Sequence, residues 1–338
     1  MKHVDLSCVV FPDIQPWERK PVEALLSYLS AKNRVQMLNA DESWAVDWGK
    51  VQDSKVVWAI SRDWKLVSAL LRRIDVPRSF LSVFGLPTGS AALMTLFVRR
   101  LRPTLSKSAH ILTHSPINFR FFREIEEVQN RQVSYVHLPF TGRIDEPREA
   151  SRPFRVATLT GLNGEGNINY FANVAHYVQQ FDPTIQFRVI GEGKLQGHFE
   201  KMASEMGVTE NFEICPPSVQ SNFSDVDVAM YIPLRNHHFV PVLLAGASGV
   251  PVLASEVPGI ADYIQDGKDG FVIPIHETKP MGELILRLKR EENLRRELGK
   301  ALEKRLTNHF SFEEIGIEYQ RLFFGSSSKQ KPGSEIAA

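Results

Sequence analysis

The chain has 338 residues, a formal net charge of +1, and 43% hydrophobic against 23% charged residues. This composition excludes a collagen, a coiled coil or a disordered chain as the main state, and the length suits two domains of ordinary size. No stretch approaches the roughly eighteen apolar residues that a transmembrane helix needs, and the N-terminus lacks the pattern of a secretory signal. Cys8 and Cys215 are the only cysteines. They can form neither a disulfide framework nor a thiolate metal cluster, which favours a cytoplasmic protein.

Charge is distributed unevenly along the chain. Residues 1–145 hold 20 Lys and Arg against 14 Asp and Glu, whereas residues 146–338 hold 20 against 25. The segment ALMTLFVRRLRPTL (92–105) combines an apolar side with three arginines, Arg99, Arg100 and Arg102. We predict that it docks on an anionic membrane surface, at the inner face of the membrane, and we predict no nucleic-acid partner. The alternative is that its apolar side belongs to the core.

The first half of the chain alternates strand and helix patterns. A β-rich apolar run (4–11) predicts a buried strand, a turn-like stretch follows (12–21), and apolar spacing predicts a helix over 22–33. Further strands are predicted at 34–40, 56–61, 80–85 and 109–115, with a second helix at 66–73. This alternation favours a parallel sheet with helices on both faces.

The second half repeats that alternation after a polar stretch with two prolines, TGRIDEPREASRP (141–153), which is the predicted linker. Strands are predicted at 154–161, 185–193, 226–233, 250–255 and 270–274, and helices at 168–181, 197–208 and 240–249. Two successive α/β units predict two doubly wound, Rossmann-like domains facing a cleft, with ligands outside the carboxyl ends of the strands. The polar tail (325–338) is predicted to be disordered.

One segment of the second half has a specific pattern, GVPVLASEVPGIADYIQDGKDGFVIP (249–274). It resembles the donor domain of glycosyltransferase family four, whose members have the GT-B fold. FRVIGEGKLQGHFEKMASEMGV (187–208) and FSFEEIGIEYQRLF (310–323) resemble segments of the same family. The resemblance implies an acceptor-side domain (1–145), a donor-side domain (146–309) and a C-terminal helix (310–324) that crosses back to the N-domain.

Elementary physical chemistry points to the same segment. Gly249 and Pro251 suit a tight turn from helix to strand, and Gly259 opens a helix at the carboxyl end of the strand 250–255. The free N–H groups at the start of such a helix suit a diphosphate or a sugar hydroxyl. The alternative is that Gly259 only permits a turn.

The sequence departs from the family pattern at the donor site. The family's paired glutamates, E-x(7)-E, fall on Asn236 and Leu244, and the glycine that lets backbone approach phosphate falls on Phe239. The family's diphosphate-binding lysine falls on Glu165, and no Lys or Arg occurs in 157–186. Because losing one donor aimed at developing charge typically costs about 3 kcal/mol of transition-state stabilisation, ordinary catalysis is in question.

Other polar residues could replace the lost groups. We predict a donor site formed by Asn236, His237, His238, Ser255 and Gly259, in which the histidines bind a phosphate or a sugar hydroxyl. Both histidines could equally be surface loop residues. No catalytic residue is assigned, and neither a metal nor a cofactor is predicted apart from the nucleotide-sugar co-substrate.

Two functions of different classes therefore stay open. One is retaining transfer of a sugar from a nucleotide-sugar donor to a glycan or lipid-linked acceptor in cell-surface or extracellular polysaccharide assembly. The other is a catalytically silent subunit or glycan-binding scaffold that works with a protein partner. Binding of a nucleotide sugar discriminates them. His114, at the end of a predicted strand of the first domain, is interpreted as structural, since a lone histidine there usually is.

Overall fold

The structure is a computed structural model that describes residues 4–41, 45–61, 78–84, 109–124, 133–142, 152–162, 164, 166–217, 223, 225–234 and 238–325. The predicted helix at 66–73, the basic segment 92–105 and the tail after Gly325 lie outside these ranges.

The chain divides into two compact units. The first consists of residues up to Pro139 together with the segment from Phe312 onward, and the second is Phe140–Ser311. Each unit is built on a six-stranded parallel sheet. The parallel α/β class that the alternation predicted is thus confirmed in both halves of the chain.

The first sheet has the strand order β2-β1-β3-β4-β5-β6. Its strands are β1 (Val4–Val10), β2 (Val35–Asn39), β3 (Ser54–Ser61), β4 (Arg78–Val83), β5 (Ala109–Thr113) and β6 (Val133–Tyr135). Among the described residues, the helices α1 (Pro16–Ser30), α2 (Trp48–Gln52) and α3 (Pro116–Arg123) follow β1, β2 and β5. The central strand β3 is buried at all but one position, as expected of a parallel strand covered on both faces.

The helix α1 begins six residues before the predicted position, within the stretch that the sequence indicated as turn-like. Pro16 occupies the first helical position, where its missing N–H costs nothing. The Gln15 N–H donates to the Glu18 carboxylate at 2.9 Å, which completes a capping box. The turn prediction was wrong from Pro16 onward because a proline marks a helix start as readily as a turn.

The second sheet has the order β12-β11-β10-β7-β8-β9. Its strands are β7 (Arg155–Leu159), β8 (Gln186–Ile190), β9 (Phe212–Cys215), β10 (Val228–Tyr231), β11 (Val252–Ser255) and β12 (Gly270–Ile273). Its helices are α4 (Ile168–Gln179), α5 (Gln196–Glu205), α6 (Val240–Ala247), α7 (Ile260–Tyr263), α8 (Thr278–Arg290) and α9 (Glu292–His309). The chain winds outward from β7 to β9, then returns to β10 beside β7 and winds to the other edge.

Two helices of the second unit, α8 and α9, have no counterpart among the sequence-based predictions. Their buried residues nevertheless follow helical spacing, with Met281, Ile285 and Leu288 in α8 and Leu298, Leu302 and Leu306 in α9. In α9 charged residues fill most of the positions between these buried ones, and in α8 Leu284 and Leu286 interrupt the spacing, so the apolar stripe is hard to see in the sequence. None of the helices in the described ranges has both the length and the apolar character required to cross a membrane.

The last helix, α10 (Phe312–Phe324), packs on the first sheet. Phe323 contacts Trp58 of β3 and Phe80 of β4, with ring centroids 5.2 and 4.9 Å apart. The Arg78 guanidinium donates to the Leu322 and Gly325 carbonyls at 3.1 and 2.8 Å. These contacts place the C-terminal helix in the first unit.

The second unit is also closed where the chain enters and leaves it. The Phe140 N–H donates to the Phe310 carbonyl at 2.7 Å. Phe310 in turn stacks on Tyr263, with ring centroids 4.4 Å apart and the ring planes 12° from parallel. The first and last segments of this unit are therefore fastened to each other.

Candidate functional site

The second sheet has a topological switch point between β7 and β10. These neighbours pair in parallel, Val228 with Val156 and Ala229 with Ala157, yet the chain leaves them toward opposite edges of the sheet. Loops that diverge in this way leave a crevice at the carboxyl ends of the strands, where doubly wound folds bind their ligands. The candidate site is therefore this carboxyl edge.

On one side of the switch point, the loop after β7 lies directly on the loop after β8. The Leu162 N–H donates to the Glu192 carbonyl and the Leu195 N–H to the Leu162 carbonyl, both at 3.0 Å. A Cβ atom on Gly191 would lie 1.9 Å from the Thr160 carbonyl oxygen. Only glycine permits this approach, so Gly191 sets the shape of the edge.

On the other side, the same loop lies on the loop after β10. Gly166 forms a bridge with Pro233, and the Asn167 N–H donates to the Ile232 carbonyl at 3.1 Å. The Asn167 Oδ1 accepts the Tyr170 N–H at 3.3 Å and so caps α4. Asn167 thereby fixes both the loop and the start of the helix.

Ser255 and Gly259, two of the predicted donor residues, flank the turn after β11. Ser255 ends the strand and is 2% exposed. Gly259 has φ +84°, a left-handed conformation that favours glycine, and it precedes the four-residue helix α7. This conformation explains why a glycine stands at the turn, and the binding role of Gly259 stays a prediction.

His238, a third predicted donor residue, is buried, while Asn236 and His237 lie outside the described residues. The His238 carbonyl accepts the Tyr231 hydroxyl at 3.0 Å. The next residue, Phe239, stacks on Tyr263 of α7 with ring centroids 4.2 Å apart. The structure thus brings His238 toward the helix that follows Gly259, but it leaves little of the His238 side chain accessible to a ligand.

Leu244, where the family's second glutamate falls in the gapless alignment, lies in α6, whose eight residues are all buried. A Cβ atom on Gly246 of this helix would lie 2.3 Å from the Leu306 side chain of α9. Leu244 itself is 2% exposed. The residue is therefore part of the core.

His114 in the first unit is buried in a complete hydrogen-bond chain. The Trp58 Nε1–H donates to the Ser82 Oγ at 2.8 Å, and this hydroxyl lies 3.1 Å from the His114 Nε2. The His114 Nδ1 lies 3.0 Å from the Val136 carbonyl. Since a carbonyl only accepts, Nδ1 carries the proton and Nε2 accepts from Ser82. These contacts support the structural interpretation of His114.

One residue of the carboxyl edge was missed by the sequence analysis. His276, three residues after β12, has φ +71° and lies with its Nδ1 3.3 Å from the Asn167 Nδ2. No pattern in the sequence marks a left-handed histidine. Within the described ranges, no group of three or more His, Cys, Asp or Glu residues is placed to hold a metal ion.

Comparison with solved structures defines the fold. The structure of Anabaena Alr3699/HepE in complex with UDP-glucose aligns over 95% of this chain and 99% of that chain, with a TM-score of 0.73 and 10% identity. At this identity the likeness concerns the fold alone. The two parallel sheets are those of the GT-B fold, and the fold class predicted from the sequence is confirmed.

Residues 144–305, just under half of the chain, match the family model described as Glycosyl transferases group 1. This match agrees with the resemblance of the second half to glycosyltransferase family four. The placement of the donor residues, and the loss of the family's glutamates and basic residues, stay predictions.

Curated relatives agree with this assignment. The poly(ribitol-phosphate) alpha-N-acetylglucosaminyltransferase of Staphylococcus aureus is 24% identical over 159 residues, which cover 46% of this chain and 32% of that protein. An uncharacterized glycosyltransferase of Methanocaldococcus jannaschii is 24% identical over 242 residues, covering 65% and 67%. The chain spans less than a third of the length of several curated relatives that it matches.

Proposed function

We propose that the protein transfers a sugar, with retention, from a nucleotide-sugar donor to a glycan or lipid-linked acceptor in cell-surface or extracellular polysaccharide assembly. The observation that carries the proposal is the family match of residues 144–305, which contain the whole carboxyl edge of the second sheet. The names of relatives supply the setting, since they include a capsular polysaccharide glycosyltransferase and a lipopolysaccharide core glycosyltransferase.

In this proposal the nucleotide sugar binds at the carboxyl edge, with Asn236, His237, His238, Ser255 and Gly259 as its partners. Departure of a nucleoside diphosphate develops negative charge, which preorganised donors must stabilise. The loop after β7 contributes no Lys or Arg, because none occurs in 157–186. Backbone N–H groups and imidazoles would then supply stabilisation in place of the basic residues that the family has in this loop.

A silent subunit is the second candidate, and one observation favours it. Phe239, at the position aligned with the family's phosphate-approach glycine, is 2% exposed, stacks on Tyr263 and contacts the Tyr231 ring at a tilt. An aromatic ring at the start of α6 fills space that a glycine would leave open. A protein that kept the fold but not the donor site could accept this substitution.

Calorimetry with uridine, guanosine and adenosine diphosphates separates the two candidates. We expect one diphosphate to bind the wild type, the double variant His237→Ala/His238→Ala to bind it more weakly, and Glu165→Lys to bind it more tightly. The Lys variant removes a repulsion and adds an attraction for the diphosphate. Absence of binding to all three proteins would overturn the transferase and leave the silent subunit.

Docking of the acceptor side to an anionic membrane through 92–105, like a protein partner, stays a prediction from the sequence. A triple Arg→Glu variant at 99, 100 and 102 should then be recovered less with anionic liposomes at low salt. Equal recovery of folded wild type and variant would contradict it.

A further inference from the structure

His276 is the only non-glycine residue with a positive φ in the described part of the chain, at +71°. A left-handed conformation is unfavourable for a residue with a Cβ, and such strain persists where the surroundings enforce it, often at ligand sites. His276 is also exposed, so burial of its ring does not explain why a histidine stands there.

The hydrogen bonds of Asn167 determine which nitrogen of the His276 ring carries the proton. The Asn167 Oδ1 accepts the Tyr170 N–H, which leaves Nδ2 to face the His276 Nδ1 at 3.3 Å. An amide nitrogen only donates, so the imidazole Nδ1 must accept. The neutral ring then carries its proton on Nε2, and that N–H is the donor available to a ligand.

Tyr170 holds the ring from a second direction. Its ring meets the His276 ring edge to face, with centroids 5.9 Å apart and the planes 85° from parallel. The Tyr170 hydroxyl donates to the Glu277 carbonyl at 2.9 Å, one residue beyond His276. Burial, and then the charge of Glu277, raise the pKa of Tyr170 to about 12, so this donor keeps its proton. The histidine is therefore fixed in both backbone and ring.

The position of His276 connects it to the switch point. Its partner Asn167 ends the loop after β7 and is bonded to Ile232 in the loop after β10, while His276 belongs to the loop after β12. Three of the loops that shape the candidate site therefore meet at this pair. This is also the region in which the family resemblance places basic residues that the sequence lacks.

We propose that His276 is a binding residue of the donor site, whose Nε2–H donates a hydrogen bond to a phosphate oxygen of the nucleoside diphosphate. The proposal rests on the proposed transferase function. Hydrogen bonds to charged groups are the stronger ones, and a donor fixed before binding loses little freedom when it engages phosphate. Removing it should weaken diphosphate binding about 10-fold or more.

A purely structural role is the competing explanation, in which His276 only supports the start of α4. The two explanations differ in the effect of His276→Gly. Glycine adopts the left-handed conformation without cost, so this variant relieves backbone strain while it removes the ring. A binding role predicts weaker diphosphate binding with no loss of thermal stability, whereas a supporting role predicts lower stability.

The test is calorimetry of the full chain with uridine, guanosine and adenosine diphosphates, with melting temperatures measured in parallel. His276→Gly should bind the preferred diphosphate at least 10-fold more weakly than wild type. His276→Asn, which tolerates the left-handed backbone and keeps a shorter donor, should fall between them. His176→Ala, which removes an exposed histidine from the last turn of α4, is the matched control and should bind like wild type.

The histidine tautomer gives a second, independent measurement. Nitrogen-15 spectra of the free protein should show His276 with its proton on Nε2, and this signal should shift when the diphosphate is added. Equal binding by wild type and His276→Gly, or a proton on Nδ1, would overturn this inference and leave the transferase intact. A wild type that binds no diphosphate would overturn both together.

Discussion

The amino and carboxyl edges of the second sheet are held together by different interactions. At the amino edge, Arg152 and Asp227 form a bidentate pair at 2.7 and 3.2 Å, in which each side chain is 10% exposed. Asp227 also accepts the Arg155 N–H at 2.9 Å. At the carboxyl edge, by contrast, glycine contacts and backbone hydrogen bonds hold the loops together, as at Gly191 and Asn167.

This difference assigns stability to the amino edge, whereas binding at the carboxyl edge is the function that we propose. The charged side chains at the amino edge pair with one another, so few charged groups remain to bind a ligand. Glycines at the carboxyl edge instead bring backbone groups close to the crevice. The amino edge of the first sheet is likewise held by paired charges. There, a hydrogen bond from Lys55 and one from the Arg34 N–H hold the pKa of Asp5 at about 2.

The largest effect is expected from breaking the amino edge. Asp227→Ala leaves the Arg152 guanidinium buried without its partner, and an uncompensated buried charge costs about 3–5 kcal/mol in unfolding free energy. Denaturant unfolding measures this loss.

Glu213→Ala is the control for that experiment, because the Glu213 side chain that pairs with Arg188 is 54% exposed. We expect a loss of less than about 1 kcal/mol. Similar losses in the two variants would show that burial does not decide the value of an ion pair here.

A somewhat smaller effect is expected at the carboxyl edge. Gly191→Ala drives a methyl group into the Thr160 carbonyl and should cost about 3 kcal/mol, since backbone cannot yield as a side chain can. Gly197→Ala, in the helix α5 with open space around it, should instead stabilise the protein by about 0.5–1 kcal/mol. Thermal unfolding of both variants sharpens the comparison, and a Gly191→Ala protein as stable as wild type would contradict it.

The smallest effect concerns pH and the amino side of the first sheet. Burial of His110, together with the charge of Arg78, lowers the pKa of its imidazole to about 4. The unfolded state takes up a proton near pH 6.5 and the folded state does not. The contribution of His110 to the free energy of unfolding is therefore fully present above pH 6.5 and is lost as the pH falls toward 4. Allowing for its partial exposure, His110 should contribute a loss of about 1 kcal/mol between pH 7 and 5. His110→Gln should flatten the stability profile in that window, and an unchanged slope would contradict the assignment.

Much of the fold could be predicted because the hydrophobic periodicity of a strand or a helix is visible within one short segment of the sequence. The strands at 56–61 and 109–115 and the helix at 168–181 lie within a few residues of β3, β5 and α4. Helix starts were harder, as Pro16 shows, because capping depends on the side chains of Gln15 and Glu18 meeting in space.

The candidate site could be predicted less well. Gly259 follows the predicted strand 250–255 in the sequence. That order alone was enough to predict that Gly259 lies beyond the carboxyl end of this strand. The buried His238 precedes Phe239, which stacks on Tyr263, a contact between residues 24 positions apart. The conformation of His276 depends on Asn167, more than 100 residues away. Such properties arise from tertiary contacts and leave no local pattern.

The hydrogen bond between the Phe140 N–H and the Phe310 carbonyl has a consequence for which fragment of this chain can be isolated. The second unit starts at Phe140 and ends at Ser311, and its two ends are held together. In topological terms it is an insertion into the first unit, entered and left at one place. Units with adjacent ends tolerate excision and circular permutation. A fragment spanning 140–311 is therefore the natural piece in which to isolate the family-matched sheet from the rest of the protein.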